Sequence, residues 1–343
     1  MCMMSRRSRC SVLLVLLALM LSACGNGTSH SARHEPNVKR FPAAEPSNAP
    51  ELTQPPTGRL ISIGPGAEGA VADAQTHLVA VGLRDPSRLA LVDGRTGTPV
   101  HDVALPGHLR HLQLRGPGGP VIVPAESADA VLEVSLPSGT ISPPVHVGKS
   151  PHDATATSSG TLVVGNEFGG TVSVVESGTV THTFGDATQP GGLAAVGDTV
   201  GMIDVSENTL TIYDIKRLQQ LAELPAGRGP THTTADKHGR LAVVDTRGGA
   251  LLIYELGSKP HQVARLSLPG GPYGMAYDPI RDRLWVTLTA TNELVGIDMS
   301  GKSPKVTQRL PTLRQPNTVA IDSSTGRLFV ASPTQGELEL IDP

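Results

Sequence analysis

Seven copies of one pattern, each about forty residues long, restrict this chain to a repeat architecture. Every copy reads as a turn with Pro or Gly, a short apolar strand, a polar turn, a second strand, a polar loop, and a third strand ending near an acid. A fourth strand follows. The second strand is the plainest, as in Thr161-Leu162-Val163-Val164, Arg283-Leu284-Trp285-Val286 and Arg327-Leu328-Phe329-Val330. Opening turns fall at Ala67, His108, Pro151, Pro190, Pro230, Pro272 and Pro316, which lie 41, 43, 39, 40, 42 and 44 residues apart. Helical repeats of this length would place apolar residues at i, i+3 and i+4, whereas these segments alternate at period two. The spacing predicts an all-β fold, a seven-bladed β-propeller over residues 59–343. The 38 glycines and 29 prolines fit its many turns and oppose a helical bundle.

Ring closure supplies a second expectation. The seventh copy stops after its third strand, at Pro343, while an orphan strand, Arg59-Leu60-Ile61-Ser62-Ile63, precedes the first copy. That strand is expected to pair as the outer strand of the last blade, a velcro closure that leaves no open sheet edge.

The amino terminus reads as an export signal. Arg6, Arg7 and Arg9 precede the apolar run Val12–Leu21, which is about half the length needed to span a bilayer. Leu21-Ser22-Ala23-Cys24 resembles the lipobox of bacterial lipoproteins. The resemblance implies a signal peptide over 1–23, cleaved before Cys24, and a membrane anchor through lipid on the Cys24 thiol. Cys2 and Cys10 leave with the signal, so no internal disulfide is expected. Residues 24–58 then form a Pro-rich tether, expected to be extended and without fixed structure. Without residues 1–23 the chain carries 25 basic and 31 acidic residues and no basic stripe, which excludes nucleic acid as a natural partner.

The repeat Gly326-Arg327-Leu328-Phe329-Val330-Ala331-Ser332, followed by Leu338-Glu339-Leu340-Ile341-Asp342, resembles the YVTN/YncE-like seven-bladed propellers. Members of that family include exported binding proteins, and related propellers include lactonases and quinoprotein subunits. The likeness is at the level of the repeat and carries no chemistry of its own.

Propeller topology says where chemistry should gather. Opening turns and the loops between second and third strands share one face, called here the top. His108, Arg110, His111, His152, Asp153, Thr231, His232, Tyr273 and Asn317 follow the turns; Arg84, Glu126, Asn166, Glu167, Asp204, Asp245 and Arg247 follow the second strands. Imidazoles at His152 and His232 with carboxylates at Glu167, Asp204 and Asp245 suit a divalent metal at the channel mouth. The alternative is a hydrated funnel whose polar side chains bond loop amides. His108-Leu109-Arg110-His111 is expected on an inner strand, with its two histidines pointing apart. No Gly-x-Ser-x-Gly elbow appears, and Gly169-Gly170 and Gly248-Gly249 lack the following helix of a phosphate cradle. The single tryptophan, Trp285, lies inside a strand, which speaks against a quinone enzyme. With aromatic residues at 3%, only Phe168 and Tyr273 are placed to stack a sugar. The sequence therefore favours a lipid-anchored binding or scaffolding module for an envelope protein, peptide or small polar ligand. The competing class is a metal-assisted, lactonase-like hydrolase, for instance with Glu167 and His152 as acid–base pair.

Overall fold

The computed structural model describes residues 41–343; the expected signal peptide, Cys24 and the first part of the tether lie outside the described residues. Seven four-stranded antiparallel sheets form the blades. Six of them are continuous in sequence, while the seventh takes Thr318–Asp322, Arg327–Ala331 and Glu337–Ile341 from the carboxyl end and Arg59–Ser62 from the amino end. Arg59 pairs with Leu340 and Ser62 with Glu337, so the orphan strand closes the ring as expected.

Period-two patterning explains why the second strands look apolar throughout. In the second strand of blade 1, Leu78–Leu83, every residue is buried. Val79, Val81 and Leu83 pack against Phe329 and Leu338 of blade 7, and Ala80 packs with Leu109 and Val121 of blade 2. Successive side chains thus enter opposite blade interfaces. The same division places Val163 with Leu193 and Met202 of blade 4, but Leu162 and Val164 with Ile122 and Val131 of blade 2. The hydrophobic core is a circle of such inter-blade clusters, and the axis is left to polar and small residues.

Blade 2 departs from the expectation. Its inner strand is only Gln113–Leu114, and His108-Leu109-Arg110-His111 is irregular backbone ahead of it. Two glycines of blade 1 account for this. A methyl group at Gly82 would overlap the Leu109 side chain, and one at Gly69 would overlap the Arg110 carbonyl. The space they leave seats Leu109 in the interface between blades 1 and 2, and the backbone turns Arg110 and His111 towards the axis.

Residues 41–58, expected within the structureless tether, instead lie against the propeller. Ala44 and Ala49 are buried. Phe41 N donates to Ser206 O at 2.7 Å, Ser47 N to Thr289 Oγ1 at 3.0 Å and Thr57 N to Pro311 O at 3.0 Å. The segment crosses the top of blades 4 to 7 as an extended strap before entering the closing strand. Proline content indicated its extended form correctly, but the polar side chains that hold it come from distant blades.

Candidate functional site at the top of the channel

Each blade except blade 2 pairs the residue opening its inner strand with the last residue of its second strand, as Pro151 with Asn166 or Pro230 with Asp245. The next residues along, one on each strand, therefore stand side by side at the top rim. In blade 3 these are His152 and Glu167, with Nδ1 to Oε2 at 2.9 Å. In blade 2, where Glu126 N donates to His108 O as Glu167 N does to Ser150 O, the corresponding side chains are Arg110 and Glu126, Nε to Oε2 at 3.6 Å. His108 reaches the same oxygen from the turn, Nε2 to Oε2 at 2.8 Å. Blade 1 supplies Glu68 and Arg84 at 3.3 Å.

These pairs converge. One ligand atom from each of Glu126, His152 and Glu167 lies within 4.8 Å of the other two. Glu126 Oε2 is also 3.6 Å from Arg110 Nε and 3.9 Å from Arg84 Nη2, yet no aligned hydrogen bond reaches that oxygen or that Nε, and both are buried. Burial raises the pKa of Glu167, but hydrogen bonds from His152 and Gln189 and the charges of His152 and Arg110 outweigh it, holding it at about 2. Glu167 is thus a carboxylate at all ordinary pH values. The His152 proton in that contact sits on Nδ1, and a neutral ring then presents Nε2 as a donor for a metal.

Below this cluster the histidines form a layer across the axis. The His111 ring is 4.6 Å from His152 and stacks on His232 at 4.5 Å, and Tyr273 meets His232 edge-on at 4.6 Å. Burial, followed by the neighbouring His111 and His152, lowers the pKa of His232 well below its usual value, and its Nδ1 has no hydrogen-bond partner. His111 Nδ1 lies 3.6 Å from Asp153 Oδ2, and Asp153 is held by Leu193 N at 2.8 Å and by Gln113 Nε2. His111 and His232 line two cavities. One, of about 460 Å³, runs down the channel past Thr155, Thr233 and Ile321; the other, about 30 Å³, lies above under Ala43, Ala44 and Glu45 of the strap. The upper one has room for a single water or ion.

Of the five side chains expected to hold a metal, the structure brings His152 and Glu167 into one cluster and His232 into the layer beneath it. Asp204 and Asp245 do not join them. Asp204 accepts from the amides of Thr188, Gln189, Ser206 and Glu207, and Asp245 from those of Arg228, Gly229 and Gly248. A carboxylate at the end of a second strand is the nearest acceptor for loop amides that have no ladder partner, which takes up both oxygens of Asp204 and Oδ1 of Asp245. Asp245 Oδ2 is buried without a hydrogen bond, 3.8 Å from Arg265 Nη1. Glu126 was the missing member. It stands in blade 2 where Glu167 stands in blade 3, so aligning the second strands gives the signal that would have paired them.

No protein-family model matches the sequence, and no curated protein matches it either. Solved structures do. Hydrazine synthase from Kuenenia stuttgartiensis superposes with a TM-score of 0.71 at 16% identity, over 81% of this chain and 96% of that one. Virginiamycin B lyase from Staphylococcus aureus gives 0.67 at 13% identity, over 82% and 98%. A chain of the mitotic checkpoint complex gives 0.71 at 12% identity, over 88% and 98%. The chain is a seven-bladed β-propeller similar to enzymes and assembly proteins alike, and identities this low speak for the fold alone.

Proposed function

We propose that this chain is a binding module, lipid-anchored through Cys24 outside the cytoplasm and akin to the YncE-like propellers. In this reading it holds a divalent cation at the top of its channel and recognises a small polar ligand there. The carrying observation is the convergence of Glu126, His152 and Glu167 from two blades onto one buried point. Ligand distances of about 2.0–2.2 Å to a tetrahedral cation place donor atoms roughly 3.4 Å apart, which side-chain rotations of about 1 Å would reach here. Glu126 Oε2 accepts no aligned hydrogen bond, and a cation there would have to take over from His108 Nε2 at 2.8 Å and from the guanidinium groups of Arg110 and Arg84. Arg110 Nε, also unbonded, is placed to meet an anionic group on a ligand carried by the cation.

A metal-assisted lyase or hydrolase is the second reading. The His152–Glu167 pair has the make-up of an acid–base dyad, and virginiamycin B lyase, of the same fold, is catalytically inactive as a histidine-to-alanine variant.

Calorimetric titration of Zn²⁺ or Mn²⁺ into chelator-stripped full-length protein tests the cation centre. One equivalent should bind, and Glu126→Gln with Glu167→Gln should weaken it on the order of 100-fold, since even outer-shell changes cost 10–100-fold. No binding at millimolar metal, or an unchanged affinity in the double variant, removes the cation from the reading. Hydrolytic turnover that appears with metal and disappears in His152→Ala would favour the enzyme. The anchor has its own check, because Cys24→Ala should release the protein from the membrane fraction.

A further inference from the structure

The strap is held by its main chain. Gln315 makes the two bonds a neighbouring β-strand would make, Nε2 donating to Ser47 O at 2.9 Å and Oε1 accepting from Ala49 N at 2.8 Å. Asn292 Nδ2 donates to Pro50 O at 3.0 Å, and at the other end Arg247 Nη2 donates to Pro42 O at 2.9 Å. The amide orientations follow from the network, because Asn292 Oδ1 accepts from Gln315 N at 3.0 Å and Asn317 Oδ1 from Gln315 Nε2 at 3.0 Å. Gln315 adopts φ +58°, uncommon for a side chain of that size, in the position from which it reaches the strap.

The floor of this groove is cut to fit a peptide backbone. A methyl at Gly229 would crowd Ala44, and one at Gly271 would stand 2.6 Å from Ser47 Oγ. Only small strap side chains, Ala44 and Ala49, are buried, while Pro42, Glu45 and Pro50 are exposed. The groove therefore reads small residues at two places, an exposed acid at the end of the segment, where Arg314 Nη1 meets Glu51 Oε1 at 3.0 Å, and an extended backbone, which proline preorganises at low entropic cost.

We propose that the top of blades 4 to 7 is a binding site for an extended, proline- and alanine-rich peptide of another protein, and that residues 41–51 occupy it in cis. A peptide replacing the strap would also take over the place of Ala43–Glu45 above the upper cavity, so its third to fifth residues would face Arg110 and His152. This inference stands apart from the cation centre and is tested in excess chelator, so either can fail alone.

The probe is a fluorescent peptide with the sequence of residues 41–51, and the target is the full chain with residues 41–50 replaced by Gly and Ser at equal length. Saturable binding by fluorescence anisotropy is expected, abolished when Gln315→Ala and Asn292→Ala are added. The unaltered chain should bind at least about tenfold more weakly, because a tethered segment at an effective concentration near 1 mM competes with a peptide of Kd about 100 μM. A folded replacement variant that ignores the peptide overturns the proposal. If the replacement does not fold, hydrogen exchange on the unaltered chain decides instead. Excess unlabelled peptide should speed exchange at Ser47 and Ala49 by displacing the strap, and unchanged rates there at millimolar peptide overturn the proposal equally.

Discussion

Blades 1 to 3 and blades 4 to 6 place opposite chemistry at the same two rim positions. The first group carries Glu68 with Arg84, Arg110 with Glu126 and His152 with Glu167; the second carries Gly191 with Val205, Thr231 with Thr246 and Tyr273 with Thr289. The charged half crowds His108, Arg110 and Arg84 around Glu126 Oε2, at 2.8, 3.6 and 3.9 Å. The neutral half is covered by the strap, whose backbone groups are taken up by side chains around it. A single scaffold thus provides a charged half suited to a polar ligand and a neutral half suited to a peptide chain. Ring symmetry sets where the positions are and says nothing of what occupies them.

The largest expected effect comes from loosening the neutral half at its far end. Glu339, fully buried in blade 7, accepts from Gly58 N at 2.7 Å and Leu313 N at 2.8 Å, which fastens the strap's exit to the last blade. Glu339→Ala leaves the buried Leu313 amide and the half-buried Gly58 amide without acceptors, at a cost of about 1–3 kcal/mol for the buried one. A fall in Tm of several degrees by calorimetry is expected, with cation affinity unchanged. A melt equal to that of the parent would break the assignment of Glu339 as the fastening.

The charged half should answer to pH instead. The Glu167 carboxyl lies at about 2 in the folded chain against its usual 4.5, so its contribution to stability is complete above pH 4.5 and is lost as pH falls towards 2. In chelator, the parent should therefore melt above Glu167→Gln at pH 6, and the two melting curves should draw together between pH 4.5 and pH 2. A gap that stays constant over that window would mean that Glu167 is not held by His152 and Gln189.

The smallest effect sharpens the contrast. Thr231 and Thr246 join hydroxyls at 2.7 Å, and Thr246 Oγ1 passes its proton to Pro272 O at 2.7 Å. Thr231→Val removes one neutral hydrogen bond and leaves Thr246 satisfied, so denaturant titration should show a loss of about 0.5–1.5 kcal/mol. Cation affinity should stay within twofold, because this rim pair has no part in the charged half.

The sequence carried the repeat, the blade count and the closing strand, since these depend on alternation and turn residues, which are local and recur seven times. It also carried the convergence of two residue lists on one face, and within them the pair His152 and Glu167, because adjacent strands of one blade bring them together. Asp204 and Asp245 looked equivalent to Glu167 along the chain, and only the loops folded around them decided that backbone amides would claim both oxygens of Asp204 and Oδ1 of Asp245. His111 reached the axis because Gly82 and Gly69 of another blade make room for Leu109 and the Arg110 carbonyl, a condition no local pattern states. The strap was decided in the same way: its prolines set an extended backbone, but Gln315, Asn292 and Arg247, more than two hundred residues away, determine where that backbone lies. Periodicity fixes what each strand is, and long-range packing fixes which side chains are left with unmet bonds.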